Sequence, residues 1–223
     1  MFKILTSIFL GLLLMQFAAF SQAPEAYPRS FSGVYMGPNL SGFTGNYTAN
    51  IEGESGKIRI RTQYGFFSKI YISRDYSIFT GLEFILNGAL TKNNDASSAT
   101  VSISYIAKTN LSTLSIPALF TYTPRRSYGL LLGPQIDYIL SAEEPWNRSD
   151  QVRPEDYLEN VIDKYNRFAL SLSIGGYYYF LNGTSIHLRY KQGISNMTKA
   201  AYGSAKAYSI EFFAAITIFK KQN

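Results

Sequence analysis

The chain has 223 residues, which fits one domain, and it carries a formal net charge of +6. It contains no cysteine, which excludes disulfides, thiol catalysis and thiolate metal sites. Charged residues make up only 16% of the chain and aromatic residues another 16%. No basic cluster is interleaved with aromatic residues, so we expect no nucleic-acid partner.

The first 21 residues have the pattern of a cleavable secretory signal peptide. Lys3 supplies the positive charge, residues 4–20 supply the apolar stretch, and small residues follow around Ser21. A retained membrane anchor is the alternative. Residues 22–30 contain two prolines and no periodicity, which indicates a short periplasmic leader. After the signal peptide, no apolar run approaches the roughly 18 residues that a spanning helix needs.

From Phe31 onward, apolar and polar residues alternate with a period of two, which is typical of β-strands. We predict an all-β, antiparallel, up-and-down transmembrane barrel of about eight strands, spanning residues 31–219. Residues 220–223 are predicted to form a polar tail. The first three predicted strands cover approximately residues 31–41, 58–72 and 76–88. The fourth ends in residues 114–122, and the others cover approximately 128–140, 167–180, 185–191 and 208–218.

The connections between the predicted strands alternate between short and long. Those near Arg74, Arg125 and Asn182 are short, and Asn182 followed by Gly183 is a strong hairpin signal. The remaining connections are long and rich in polar residues. Short turns at one rim and long loops at the other are typical of barrels in the bacterial outer membrane.

The residues on the more polar face of the strands indicate whether that face lines the lumen or the outer wall. On the sixth predicted strand this face carries Ala169, Ser171, Ser173 and Gly175. Small residues suit a confined space, and the interior of an eight-stranded barrel is just wide enough for side chains to fill it. We therefore place the small and charged face inside and the apolar face against lipid. A soluble, lipocalin-like ligand-binding barrel with the opposite orientation is the alternative.

This orientation places a set of ionisable side chains in the lumen. Buried charge is tolerated only when it is paired and hydrogen-bonded. We therefore predict a network of carboxylates and cations that fills the lumen, with a narrow ion channel as the functional alternative. The predicted network comprises Arg59, Arg61, Lys69, Glu83, Asp137, His187, Arg189, Lys191 and Glu211.

Tyrosine and phenylalanine gather beside the predicted short turns. Such residues are enriched where a barrel crosses the membrane–water interface, so we predict an aromatic girdle at this rim. Ordinary strand propensity is the alternative explanation. The residues concerned are Tyr71, Tyr76, Tyr122, Tyr128, Tyr177, Tyr178, Tyr179, Phe180 and Phe219.

Five short segments occur in a characteristic order: Phe31–Asn39, Thr80–Phe84, Leu114–Tyr122, Leu130–Pro134 and Leu188–Tyr190. This order resembles the PorT-type outer-membrane β-barrel family of Bacteroidetes-like bacteria. The resemblance implies an integral outer-membrane barrel, with membrane lipid, lipopolysaccharide and the barrel-assembly machinery as partners. One branch of that family assists protein secretion. For this chain we expect a structural, adhesive or accessory role, with a secretion-related role among the accessory ones.

The end of the chain departs from the pattern of such barrels. They often end at or near an aromatic residue, whereas Lys220 to Asn223 extend past Phe219 here.

Ser185 and His187 are the strongest candidates for catalysis. They lie two residues apart on one face of a predicted strand, and His187 is the only histidine. An acyl hydrolase, one kind of lipid-modifying enzyme, would need this pair to be hydrogen-bonded and oriented by an acid. The pair is predicted inside the barrel near the short turns, away from lipid. We therefore predict a structural histidine, no catalytic residues, no metal site and no cofactor.

The longest predicted loop, residues 141–166, holds seven of the chain's 15 acidic residues. From Pro154, apolar residues at helical spacing predict a short amphipathic helix over the outer mouth of the barrel. The loop is either solvated or a contact site for a protein partner, a divalent ion or lipopolysaccharide. Its acidic residues do not match a calcium-loop spacing. They are Glu143, Glu144, Asp150, Glu155, Asp156, Glu159 and Asp163.

Overall fold

A computed structural model describes residues 30–45, 57–94, 104–125, 127–145, 158–180 and 183–221. The predicted signal peptide and nearly all of the predicted leader lie outside these ranges. Within them, no helix has the length and apolar composition needed to cross a membrane.

The described residues are almost entirely β-strand, as the alternation of apolar and polar residues predicts. Two short 3-10 helices, Ile162–Lys164 and Ala200–Tyr202, interrupt the strands. The strands are β1 Ser30–Thr44, β2 Lys57–Tyr71, β3 Tyr76–Asn94, β4 Ser104–Arg125, β5 Tyr128–Pro145, β6 Leu158–Asn160, β7 Phe168–Tyr179, β8 Thr184–Gly193 and β9 Lys206–Lys221.

Eight long strands close into an antiparallel, up-and-down barrel. Neighbouring strands in the chain pair with one another, and β9 returns to pair with β1. The short strand β6 adds only to the end of β5, which pairs with β7 along the barrel wall. Closure gives every long strand two partners, so the barrel has no free long edge. The predicted fold class is confirmed.

The two ends of the barrel differ in the length of their connections. Residues 72–75, 126–127 and 180–183 make the connections at one end, which we call the short-turn end. Gly183 there has a φ of +86°, the left-handed conformation that the predicted hairpin requires. The opposite end, which we call the long-loop end, carries the connections between β1 and β2, β3 and β4, β5 and β7, and β8 and β9.

Several predicted boundaries differ from the structure. β3 extends further toward the long-loop end than its alternation indicated, and β9 continues to Lys221, into the predicted polar tail. The predicted helix after Pro154 is wrong over residues 158–165, which form β6 and a three-residue 3-10 helix. The backbone of β5 provides the reason, because it pairs with β6 and its Ala142 O accepts the Val161 N–H at 2.9 Å. Residues 154–157 lie outside the described ranges.

The outer wall of the barrel is apolar on every long strand. Ile60, Phe66 and Phe168 are 72%, 68% and 69% exposed, and similar side chains continue around the circumference. A soluble protein rarely exposes an apolar surface of this extent. The alternative of a soluble lipocalin-like barrel is therefore wrong, because that fold needs a polar outer wall.

The lumen differs from the prediction that only small and charged side chains line it. Two apolar groups also fill it, one toward each end, with polar side chains between them. Phe67 fits inside because Gly33 leaves space, since a Cβ at Gly33 would lie 2.8 Å from the Phe67 ring. The aromatic layer, toward the short-turn end, consists of Tyr35, Phe67, Phe79, Leu119, Leu131, Tyr177, Phe213 and Ala215. The loop layer, toward the long-loop end, consists of Leu111, Ile139, Ala142, Val161, Tyr165, Ala169, Met197 and Ala207.

Candidate functional site

Arg189 lies at the centre of the polar side chains between the two apolar layers. It is 0% exposed, and its strand β8 turns every second residue inward. Its Nη1 and Nη2 donate to the two carboxylate oxygens of Glu83 at 2.9 and 2.8 Å. Its Nε donates to Glu211 at 2.5 Å. One guanidinium therefore bridges two fully buried carboxylates on β3 and β9.

Asp137 on β5 forms a second centre. Ser171 donates to its Oδ2 at 2.7 Å, and Ser115 donates to its Oδ1. Lys191 lies 3.3 Å from the same Oδ1. The Lys191 ammonium group therefore compensates the charge of this buried carboxylate, and the two hydroxyls hydrogen-bond its oxygens.

Gln135 connects the two centres. Its Nε2 donates to Glu83 at 3.1 Å and to Asp137 at 3.3 Å, and its Oε1 accepts from Ser173 at 3.1 Å. A continuous hydrogen-bonded network thus crosses the lumen from β3 to β9. We call it the polar layer, made of Glu83, Ser115, Gln135, Asp137, Ser171, Ser173, Arg189, Lys191, Ser209 and Glu211.

Lys69 lies in the lumen but outside the polar layer, near the short-turn end. Its Nζ donates to Tyr177 Oη at 2.5 Å and to Thr123 Oγ1 at 3.5 Å. The same Nζ lies 4.3 Å from the centre of the Tyr177 ring. Hydroxyl groups and an aromatic face therefore surround this cation in place of the carboxylates of the predicted network.

His187 is buried in the aromatic layer. Its ring stacks on Phe213, with centroids 4.6 Å apart, and on Tyr177 at 5.3 Å. Its Nε2 lies 2.9 Å from Ser185 Oγ, whereas its Nδ1 has no hydrogen-bond partner among the described residues. The pair therefore lacks an acid that would orient the ring for nucleophilic catalysis, and it faces the lumen, not lipid.

Arg59 and Arg61 point into the lumen from β2 near the long-loop end. Arg59 passes over Gly88 on β3 and donates to Asn110 Oδ1 on β4 at 2.5 Å. Arg61 lies opposite Asn39 of β1, and its Nε has no hydrogen-bond partner among the described residues. In the described part of the chain, neither arginine joins the ion pairs of the polar layer.

The predicted acidic contact loop is only partly described. Glu143 and Glu144 belong to β5, where Glu144 lies opposite Glu159 of β6. Asp163 is exposed on the first 3-10 helix. Asp150, Glu155 and Asp156 lie outside the described residues. The described ranges contain no group of three or more histidines and carboxylates that could hold a metal ion.

The tyrosines beside the short turns divide between the two sides of the wall. Tyr76, Tyr122, Tyr128 and Tyr178 are exposed on the outer wall, and the rings of Tyr76 and Tyr122 stack with centroids 5.3 Å apart. Tyr177, in contrast, is buried in the aromatic layer. Only the outward set can take part in the predicted interfacial girdle.

Comparison with known proteins decides the family. The family model described as "Outer membrane protein beta-barrel domain" matches residues 20–199. The chain belongs to this family. It is an integral barrel of the bacterial outer membrane, and barrels of this kind place short turns in the periplasm and long loops outside the cell.

Two solved structures resemble this barrel at low identity. Ail, the attachment invasion locus protein of Yersinia pestis, has a TM-score of 0.47 and 12% identity, covering 86% of this chain and 100% of that chain. Neisserial surface protein A has a TM-score of 0.45 and 9% identity, covering 87% of this chain and 100% of that chain. The search of curated proteins found no match.

The site of this outer-membrane barrel includes uncharged residues that the predicted charge network leaves out. Gln63, Asn87 and Gln135 lie on the polar faces of their strands and are buried in the lumen. Their inward orientation follows from the period of two, so the alternation could have identified them. Their roles could not be predicted in the same way, because each role depends on a neighbour from a distant part of the chain.

Proposed function

We propose that this protein is a non-conducting, non-enzymatic outer-membrane barrel with a structural, adhesive or accessory role. Its lumen stabilises the wall, and its long-loop end makes the contacts outside the cell. The observation that supports this proposal is the filling of the lumen by the aromatic, polar and loop layers in succession.

The aromatic layer and the polar layer oppose ion flow for different reasons. In the aromatic layer, Phe79, Leu119 and Leu131 are at most 2% exposed, so ions would meet an apolar barrier at the periplasmic end. In the polar layer, Arg189 is held to Glu83 and Glu211, and moving it would leave buried carboxylates uncompensated. Conduction would require both layers to rearrange.

Planar-bilayer recording tests this part of the proposal. The refolded protein should insert and give no conductance steps above those of protein-free bilayers. Insertion is checked separately by heat-modifiable gel migration of protein recovered from vesicles. Reproducible unitary steps from inserted protein would contradict the proposal and favour a narrow channel.

The lipid-modifying alternative is tested through Ser185→Ala and His187→Ala. The lipid A profiles of cells expressing either variant should match those of cells expressing the unchanged protein, because the pair faces the lumen and no acid among the described residues orients it. A lipid A species that disappears with both variants would contradict this expectation.

A secretion-related role, as in the namesake branch of the PorT-type family, is the finer form of the proposal. It rests on the resemblance to that family, which the order of segments from Phe31 to Tyr190 carries. The proposed partners are membrane lipid and lipopolysaccharide, the barrel-assembly machinery, and an unidentified protein at the acidic third outer loop. We propose no cofactor and no nucleic-acid partner.

Site-specific cross-linking tests the proposed protein partner. Because the chain has no cysteine, Asp163→Cys creates a single thiol beside the third outer loop. Ser73→Cys, exposed at the short-turn end, is the matched control. We expect a discrete cross-linked protein from Asp163→Cys in intact cells and none of the same size from the control. Identical products from the two variants would contradict a contact at this loop.

A further inference from the structure

The long-loop end of the barrel carries a basic surface beside β7, β8 and β9. The described residues 160–167 and 194–206 contain four basic residues and one acidic residue, Asp163. Two of the four basic side chains are exposed and two are half-buried, so all four reach the surface. We call this surface the basic platform, made of Lys164, Arg167, Lys199 and Lys206.

Hydrogen bonds join the two segments of the basic platform into one unit. Tyr165 and Thr198 form an antiparallel bridge, and Asn166 Nδ2 donates to Thr198 O at 3.0 Å. Lys164 lies opposite Lys199 across this bridge, where the Lys199 N–H donates to Lys164 O at 2.9 Å. Tyr165 and Thr198 are buried, so alternation places the two lysines on the face turned away from the lumen.

Arg167 and Lys206 extend the basic platform to the rim of the barrel wall. Arg167 Nη1 donates to the carbonyl oxygens of Ile139 and Leu140, each at 3.3 Å, and the side chain remains exposed. Lys206 begins β9 on the same outward face as Ile210. The two cations therefore lie on either side of β8, which pairs with both β7 and β9.

The basic platform begins where the lipid-facing surface ends. Phe168 is exposed on the outer wall, and so is Ile194, whose N–H donates to Leu170 O at 2.8 Å. Arg167 directly precedes Phe168, and the polar residue Ser195 directly follows Ile194. Apolar side chains thus give way to polar and basic ones at this level, as expected where acyl chains end and lipid headgroups begin.

The positive charge of the basic platform is available to a ligand. Arg167, Lys199 and Lys206 take part in none of the ion pairs among the described residues, in contrast to the buried cations of the polar layer. Guanidinium and ammonium groups bind phosphate oxygens well. Basic side chains also bind anionic lipid headgroups when they lie close to the membrane surface.

The outer leaflet of the bacterial outer membrane presents lipopolysaccharide at this level, and its lipid A carries phosphate groups. We propose that the basic platform binds the lipid A phosphates of lipopolysaccharide, through Arg167, Lys199 and Lys206 together with Lys164. This rests on the lipopolysaccharide contact of the proposed function and gives that contact a site. The site lies beside β7, β8 and β9, not on the acidic residues of the third outer loop.

The charge of the site predicts how it responds to divalent cations. Carboxylates such as Glu143 and Asp163 can hold a phosphate only through a shared divalent cation, because both groups are anionic. Arginine and lysine bind the phosphate directly. Binding at the basic platform should therefore persist in EDTA.

Native mass spectrometry of the refolded barrel in detergent micelles, with EDTA present, tests the proposal. The probes are diphosphorylated lipid A, the same lipid A without its phosphates, and phosphatidylglycerol. Diphosphorylated lipid A should bind about tenfold or more tightly than either other probe, because several cations contribute. Equal binding of phosphatidylglycerol would overturn the assignment to lipopolysaccharide. Equal binding of phosphate-free lipid A, or binding that EDTA abolishes, would overturn the role of the cations.

Variants locate the binding. Arg167→Gln, Lys199→Gln and Lys206→Gln should each weaken binding of diphosphorylated lipid A about fivefold, the effect expected for one cation beside an anionic lipid surface. Lys206→Arg keeps the charge and should keep the affinity. Lys220→Gln, which removes an exposed cation at the short-turn end, is the matched control and should bind as the unchanged protein does. Heat-modifiable gel migration shows that each variant is folded.

Two further outcomes separate this site from the proposed function. If lipid A binds the unchanged protein and all variants equally, the lipopolysaccharide contact stands and the basic platform is overturned. If lipid A does not bind the unchanged protein, both the contact and the site are overturned. Neither outcome changes the expected absence of conductance, which the bilayer recordings measure separately.

Discussion

Arg189 and Glu83 are joined by two parallel hydrogen bonds of 2.9 and 2.8 Å across the barrel lumen, although 106 residues separate them in the chain. Their strands, β8 and β3, are not neighbours in the sheet. The pair therefore ties opposite walls of the barrel together. Glu211 on β9 completes the arrangement through the guanidinium Nε.

Arg189→Met should destabilise the barrel strongly. It leaves Glu83 and Glu211 buried without their shared cation, and removing one partner of a buried ion pair costs about 3–5 kcal/mol. Urea unfolding in lipid vesicles measures this loss. The triple variant Arg189→Met, Glu83→Gln, Glu211→Gln should lose less stability than Arg189→Met alone, because it has no uncompensated carboxylate. A larger loss in the triple variant would contradict this account.

Leu188→Arg should test the outer wall at the position next to Arg189. Leu188 is 57% exposed and faces away from the lumen. An arginine on the lipid face of a barrel costs about 2–4 kcal/mol near the bilayer midplane, whereas exposed positions of soluble proteins tolerate it. Unfolding in lipid vesicles gives the measurement, with Leu188→Ala as the control for lost apolar surface. Equal stability of the two variants would mean that Leu188 does not contact acyl chains.

Alanine substitutions at the neighbouring residues Gly175 and Gly176 test how closely the strands of the barrel wall approach each other. A Cβ at Gly175 would overlap Leu188 O and lie 2.8 Å from Arg189 Cα, whereas at Gly176 the nearest atom would be 3.4 Å away. Gly175→Ala should therefore cost on the order of 1–3 kcal/mol in unfolding free energy. Gly176→Ala should stay within about 1 kcal/mol of the unchanged protein. Similar effects of the two substitutions would contradict the close approach at Gly175.

Met197→Asp should release the segments that form the loop layer. Met197 is buried in the loop layer together with Val161 and Tyr165, and a carboxylate there would replace apolar contact with uncompensated charge. Hydrogen exchange should become faster in peptides covering 158–166 and 194–205, because their protection depends on this packing. Exchange in β8 should not change. Ile194→Ser, at an exposed position of the same connection, is the control and should leave both peptides protected.

The alternation of β8 shows how far the sequence alone predicts the site. Ile186, Leu188 and Tyr190 alternate with His187 and Arg189, and a pleated strand places two such sets on opposite faces. The strand and its inward residues were therefore predictable. The pairing of Arg189 with Glu83 was not, because barrel closure sets which strands face each other.

The segment after Pro154 shows a limit of the same reasoning. The spacing of Val161, Ile162 and Tyr165 fits one face of a helix. In the structure, Val161 and Tyr165 are buried in the loop layer, and they flank the 3-10 helix that follows the short strand β6. The spacing of the apolar residues does not identify the backbone conformation, because a helix and a short strand followed by a 3-10 turn can both bury these three side chains. The strand forms because the end of β5 extends beyond β7 and offers its backbone groups for pairing with β6. That end of β5 takes up its position only when the barrel forms.

The sequence by itself determined the eight long strands, their inward and outward faces and the membrane-facing wall, because the period of two is a local property of each strand. Only the tertiary structure decided that aromatic side chains fill the periplasmic end, that Lys69 and His187 lie apart from the ion pairs, and that unpaired amides gather beside Arg61. These arrangements depend on contacts across the lumen, which are set by strand register and barrel closure.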